Sequence, residues 1–94
     1  MKVRWTRLAS SHLESAHEYI ARDRANAVDD VVERILSVVE RLQQHPQMGR
    51  KGRVSGTREL VIVGTPFVVA YRLRRDRVEV LAVLHAARRW PDRL

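Results

Sequence analysis

The spacing of hydrophobic residues changes twice along this chain, and each change marks a new kind of element. In residues 2–6, KVRWT, Val3 and Trp5 alternate with polar neighbours, which is the two-residue period of a short strand with one buried face, at or near a sheet edge. From about Leu8 to Arg22 the period lengthens: Ala9, Leu13, Ala16 and Ile20 share one side of a helix, which leaves His12 and Glu14 facing water. The string RDRAN interrupts this pattern. Asn26 and Asp29 then offer a cap oxygen and an acidic first turn for a second helix over 27–44. Its apolar face carries Val28, Val31, Val32, Ile35, Val38, Val39 and Leu42, and Pro46 ends it. So short a connection predicts an antiparallel helical pair.

Residues 45–57, HPQMGRKGRVSGT, hold three of the four glycines and predict a loop bearing Arg50, Lys51 and Arg53. Strand patterns follow at 58–63, 67–74 and 77–85, separated by GTP and by RD. The predicted fold is α+β in the order β-α-α-β-β-β, a small antiparallel sheet with an N-terminal helical hairpin on one face. Residues 1–94 form one domain, because a chain of this length has material for a single core.

If Arg75 and Asp76 make a two-residue loop, the last two strands pair Leu73 with Val78, Tyr71 with Val80, Val69 with Ala82 and Phe67 with Leu84. All four pairs are apolar, so this face is expected to meet the helices. The same register sends Arg72, Arg74, Arg77, Glu79, Leu81, Val83 and His85 to the other face, with Arg58 joining them if Val61 and Val63 are buried. Arg72 then faces Glu79 as a salt pair. Arg74 and Arg77 become adjacent like charges that a bound anion could relieve.

Charge adds a direction to this pattern. Lys and Arg number 18 against 11 Asp and Glu, a formal net charge of +7, which favours a polyanionic or acidic partner. The chain has no Cys, which removes disulfides, thiolate ligands and a Cys nucleophile. No segment approaches the roughly 20 apolar residues of a membrane span, and no signal-peptide core stands at the N-terminus, so a cytoplasmic protein without a membrane partner is expected. His12 and His17 are spaced too far round a helix to share a metal, and GRKGRVSG lacks the ending of a phosphate-binding loop, so neither metal nor cofactor is expected. Ser10 and Ser11, near a helix start, suit caps better than nucleophiles.

The candidate chemistry gathers where the last strand ends, in LAVLHAARRWP. An imidazole such as His85 exchanges a proton near neutral pH, and guanidinium groups such as those of Arg88 and Arg89 hold phosphate oxygens in pairs. Trp90 could stack on a base, but the better expectation is that it covers Leu81 and Val83. His85 fits a structural or a functional role equally.

The strings GTRELVIVGTPFVVAYRL and VEVLAVLHAARRWP, with YIARDRANAVDDVVERILSVVERLQQHPQMGRKGRV before them, resemble the RelE/ParE superfamily of bacterial type II toxins over nearly the whole chain. That resemblance implies a sheet with a helical hairpin on one face and a cognate antitoxin, usually acidic. It leaves two activities open. RelE-like members cut mRNA on the ribosome, which would cast His85 as acid or base, with Arg58, Arg72 and Arg74 holding the scissile phosphate. In that reading Lys51, Arg53, Arg77, Arg88, Arg89 and Trp90 form the surrounding binding surface. ParE-like members poison DNA gyrase and need no catalytic group, so the same basic surface becomes a docking patch. RelE-like enzymes often carry a tail Tyr or His; here no Tyr follows Tyr71, and only His85 remains. A non-toxic nucleic-acid-binding module is a third reading.

Overall fold

The computed structural model describes residues 1–23 and 28–94. Strand β1 (Lys2–Trp5) leads into helix α1 (Arg7–Asp23) and helix α2 (Val28–Glu40), which a 3₁₀ turn extends over Arg41–Gln43. Strands β2 (Arg50–Lys51), β3 (Arg58–Val61), β4 (Phe67–Leu73) and β5 (Arg77–His85) complete the chain. The expected Asn26 cap and the side chains of Val28 and Asp29 lie outside the described residues. The sheet order is β1-β5-β4-β3-β2.

The α+β class and the helical hairpin are as the spacing predicted. Within the sheet, β2 to β5 are antiparallel neighbours while β1 lies parallel to β5, so the sheet is mixed. A parallel neighbour needs a long crossover, and here all the chain between the first and last strands supplies it. The two-residue β2, inside a segment whose glycines predict a loop, pairs Arg50 with Glu59 and Lys51 with Arg58.

Helix α1 begins at Thr6 and not at the two serines. The Ala9 N–H donates to the Thr6 hydroxyl oxygen at 3.1 Å, and that hydroxyl donates to the Val80 carbonyl at 3.0 Å. One side chain therefore caps the helix and ties its start to β5. Ser10 and Ser11 sit one turn further on and are exposed.

The core lies between the helices and one sheet face. Ala9 and Ala16 from α1, Ile35 and Val39 from α2, and Leu42 from the 3₁₀ turn are buried against Leu60, Ile62, Phe67, Val69, Tyr71, Val78, Val80 and Val83. Tyr71 is fully buried; its hydroxyl donates to the Pro46 carbonyl and accepts the Gly49 N–H, both at 2.9 Å. A Cβ on Gly49 would stand 2.6 Å from the Tyr71 ring, so only glycine allows the loop this close.

The β4–β5 register departs from the predicted one halfway along. Leu73–Val78, Arg72–Glu79 and Tyr71–Val80 pair as alternation demands, and the Arg74 N–H donates to the Arg77 carbonyl at 2.8 Å across the two-residue loop. Beyond Tyr71 the partners become Ala70–Ala82, Val69–Val83, Val68–Leu84 and Phe67–His85, leaving Leu81 as the extra residue of a bulge. A one-residue slip exchanges the faces of everything after it. Val83 and His85 therefore turn toward the helices, opposite to the expected side, while Leu84 turns away from them.

Candidate functional site

The expected catalytic group is split by the sheet. Arg72 and Arg74 lie on the outer face, away from the helices, where their Nε atoms donate to the same Glu79 oxygen at 3.0 and 3.1 Å. Arg77 reaches the other Glu79 oxygen at 3.1 Å and Asp76 at 2.9 Å. The anion that relieves the Arg74–Arg77 repulsion is thus internal. First Arg72, then Arg74 and Arg77, hold the Glu79 carboxyl down at about 2, and burial offsets only part of this. Parallel pairing with β1 sets Arg4 beside Glu79 and Lys2 beside Arg77, widening the basic patch.

Arg58 does not join that patch. Its register partner is Tyr71, so it shares the helix-facing side, and it donates to the Gly49 carbonyl at 2.8 Å and the Gln47 carbonyl at 3.3 Å. The condition attached to its expected placement fails as well: Val61 is 47% and Val63 78% exposed. Leu60 and Ile62 fill the core instead. Lys51, paired with Arg58, is exposed at the sheet edge.

At the β2 end of the outer face a second carboxylate collects cations. Glu59 is buried; Arg50 donates to one oxygen at 3.1 Å, and the backbone N–H and Nε of Arg53 donate to the other at 2.8 and 3.3 Å. Burial pushes this carboxyl up, but the Arg53 backbone N–H and the two guanidinium groups outweigh it, and the net displacement is downward. The Arg53 guanidinium also stacks on Trp90, its Cζ 3.5 Å from the ring centroid. Trp90 Nε1 donates to the His85 carbonyl at 3.3 Å. Trp90 is therefore engaged with the loop and the strand end. Val83, which it was expected to shield, is in the helix-side core. Arg88 and Arg89 are exposed in the tail.

His85 stands at the mouth of a different feature. Its ring meets Phe67 at 5.9 Å and Tyr19 of α1 at 5.7 Å, both edge-on. The Ala87 N–H donates to its Nδ1 at 3.2 Å, and the Ala86 N–H donates to the Pro66 carbonyl at 2.8 Å, which holds the chain after the strand. Arg88 Cζ lies 5.5 Å from the Tyr19 ring centroid. His12, expected to face water, is half-buried and accepts the Val83 N–H on Nδ1 at 3.2 Å. Burial pushes its pKa below the ordinary value. Strand β1 ends at Trp5, so the edge of β5 away from β4 has no strand neighbour beyond Val80, and Thr6 and His12 serve that edge in its place. The two histidines, Ser15, Tyr19 and Arg88 line one cleft of about 220 Å³.

Helical spacing alone assigned His12 to solvent, and no motif marks Tyr19. A bulge within a continuous apolar run leaves no trace in alternation, which is why the cleft was not legible. Among the described residues no group of three His, Cys, Asp or Glu is placed to share a metal ion, and no helix is long and apolar enough to cross a membrane.

A mixed sheet with a helical hairpin on one face and arginines massed on the other defines a class, the small toxins of the RelE/ParE superfamily. The family model for the ParE toxin of the type II toxin–antitoxin system parDE matches residues 3–90, and the chain belongs to this family. Curated relatives agree. Y4kP of Sinorhizobium fredii, described as a candidate toxin, is 42% identical over 91 residues, covering 97% of this chain and 94% of that protein. Toxin RelE2 of Caulobacter vibrioides is 30% identical over 87 residues, covering 93% and 97%. Among solved structures, a chain of the chromosomal ParDE system from P. aeruginosa superposes with a TM-score of 0.84 at 25% identity, over 90% of this chain and 95% of that one. A YoeB/ParE toxin from Agrobacterium tumefaciens shares the fold, with a TM-score of 0.60 at 22% identity over 90% and 98%. Membership makes this chain a type II toxin and implies an antitoxin as its partner.

Proposed function

We propose that this toxin arrests growth in the ParE-like manner, by docking on DNA gyrase and trapping it, without a catalytic group of its own. The observation that carries this reading is the separation of His85 from Arg72 and Arg74 by the thickness of the sheet, with Arg58 turned to the loop carbonyls. General acid–base cleavage of RNA needs the proton-transfer group and the phosphate-holding cations within reach of one phosphate. The outer face instead offers a rigid basic surface around Glu79, suited to an acidic protein surface or to DNA held by the target. The same charge suits an acidic antitoxin.

Paired assays of DNA supercoiling and of translation on programmed ribosomes, with one toxin preparation, test the reading. The expected result is blocked supercoiling with accumulation of cleaved DNA while translation is spared, and the same behaviour from His85→Ala. Cleavage of mRNA on the ribosome that His85→Ala abolishes would overturn it and restore the RelE-like alternative. Salt-sensitive binding to isolated nucleic acid with neither effect would point to a plain binding module.

A further inference from the structure

The cleft between α1 and the end of β5 has no part in gyrase docking as proposed above, yet its polar lining is of one kind. A neutral imidazole carries its proton on one nitrogen and accepts on the other. His12 Nδ1 accepts the Val83 N–H and His85 Nδ1 accepts the Ala87 N–H, each at 3.2 Å, so on both rings the hydrogen-bond network assigns the proton to Nε2. Each ring therefore carries an Nε2–H and has no free lone pair, and both rings line the cleft. Beside them stand the Arg88 guanidinium and the Ser15 and Tyr19 hydroxyls, and no carboxylate is among the lining residues. The fixed tautomers also work against a metal ion, which needs the unprotonated nitrogen.

Donor-bearing side chains lining a cleft without acidic residues suit an oxyanion. At about 220 Å³ the space lies below the roughly 300–1,000 Å³ of sites that enclose a whole small molecule. It suits one charged group. A phosphate monoester presents three acceptor oxygens and a charge of about −1.5 to −2, whereas an internal phosphodiester presents fewer free oxygens and a single charge. Two Nε2–H groups, a guanidinium and two hydroxyls match the monoester better. The half-buried Tyr19 ring adds an aromatic surface beside the donors on which an attached nucleoside rests.

We propose that this cleft binds a phosphate monoester, as a free nucleotide or as the terminal phosphate of a strand. Arg88 supplies the charge, and the Nε2–H groups of His12 and His85 orient the oxygens. The site lies on the opposite side of the sheet from the Glu79 cluster, so it does not rest on docking of gyrase by the outer face.

The test is a nuclear magnetic resonance titration of the full-length, ¹⁵N-labelled toxin, following the imidazole Nε2–H signals. Three probes are used: inorganic phosphate, adenosine 5′-monophosphate, and a dinucleoside monophosphate whose only phosphate is internal. The first two should shift both His12 and His85 at millimolar concentration or below, and the third should bind at least tenfold more weakly. Arg88→Ala, an exposed position whose loss leaves the core intact, should weaken monophosphate binding at least tenfold, while Arg75→Ala in the β4–β5 loop should change it less than twofold. Absence of shifts at both histidines, equal losses from the two arginine variants, or preference for the internal diester would each overturn the assignment.

Discussion

The β4–β5 hairpin has two halves that hold together differently. Near the turn, cross-strand pairs carry the structure: Tyr71 opposite Val80 and Leu73 opposite Val78 inside, Arg72 opposite Glu79 outside. Past the Leu81 bulge, side chains borrowed from α1 do part of the sheet's work, with Thr6 on the carbonyls of Val80 and Leu81 and His12 on the Val83 N–H. The first half is specified by neighbours in the sheet, and the second by elements distant in sequence. That difference explains why the apolar alternation reads correctly at one end and inverts at the other.

Substitutions at the two ends should show the contrast in order of size. Tyr71→Ala, in the sheet-built half, removes a fully buried ring together with its bonds to Pro46 and Gly49. A loss of about 3–5 kcal/mol in urea unfolding is expected. A loss under 1 kcal/mol would mean that the loop and not the hairpin anchors the fold.

Deletion of Leu81 removes the bulge while keeping Val80 opposite Tyr71 and Ala82 opposite Ala70. It should cost about 2–5 kcal/mol for the lost buried side chain. His85 should stay near Tyr19, read as a persistent ring-to-ring nuclear Overhauser contact. Movement of His85 to the outer face would show that the bulge itself, and not the pairing beyond it, sets the orientation.

His12→Ala, in the helix-served half, strands the Val83 N–H and should cost about 1–3 kcal/mol at neutral pH. Acid adds a second readout. The folded-state pKa of His12 lies below its ordinary 6.5, so the unfolded chain binds the proton first on acidification. The stabilisation from a neutral His12 is whole above pH 6.5 and is lost as pH falls from there toward the folded value. Urea midpoints of the natural chain should decline over that window, and those of His12→Ala should decline less.

Glu79→Gln should have the smallest effect on stability at neutral pH, since its three arginine partners reach solvent and such ion pairs contribute little. Its contribution is present above the ordinary carboxyl value of 4.5 and is lost as pH falls toward about 2, so the variant should differ mainly in its acid-unfolding limb. Releasing three arginines from their shared carboxylate raises the outer-face charge by one, so if the toxin docks on gyrase as proposed, supercoiling assays should show a larger change than the urea midpoint does.

Two carboxylates on the outer face extend the lesson. Glu79 was legible, because Arg72 directly opposes it across a predicted pair. Glu59 was not: Arg50 and Arg53 reach it only because a two-residue strand sits inside a glycine-rich loop. The stacking of Trp90 on Arg53 was not legible either, because the two residues lie far apart in sequence.

Local periodicity, turn residues and net charge determined the helical hairpin, the last three strands, the inward Tyr71 and the basic character of the chain. Those properties depend on which residues alternate over a few positions, and a single sequence displays that directly. Only the tertiary structure decided that β1 runs parallel to β5, that Arg58 turns inward, and that His85 shares a cleft with His12. A bulge costs one unpaired residue in an unbroken apolar run, and helix-borne groups from the other end of the chain compensate for it, so the face of every residue beyond Leu81 is settled by packing and not by pattern.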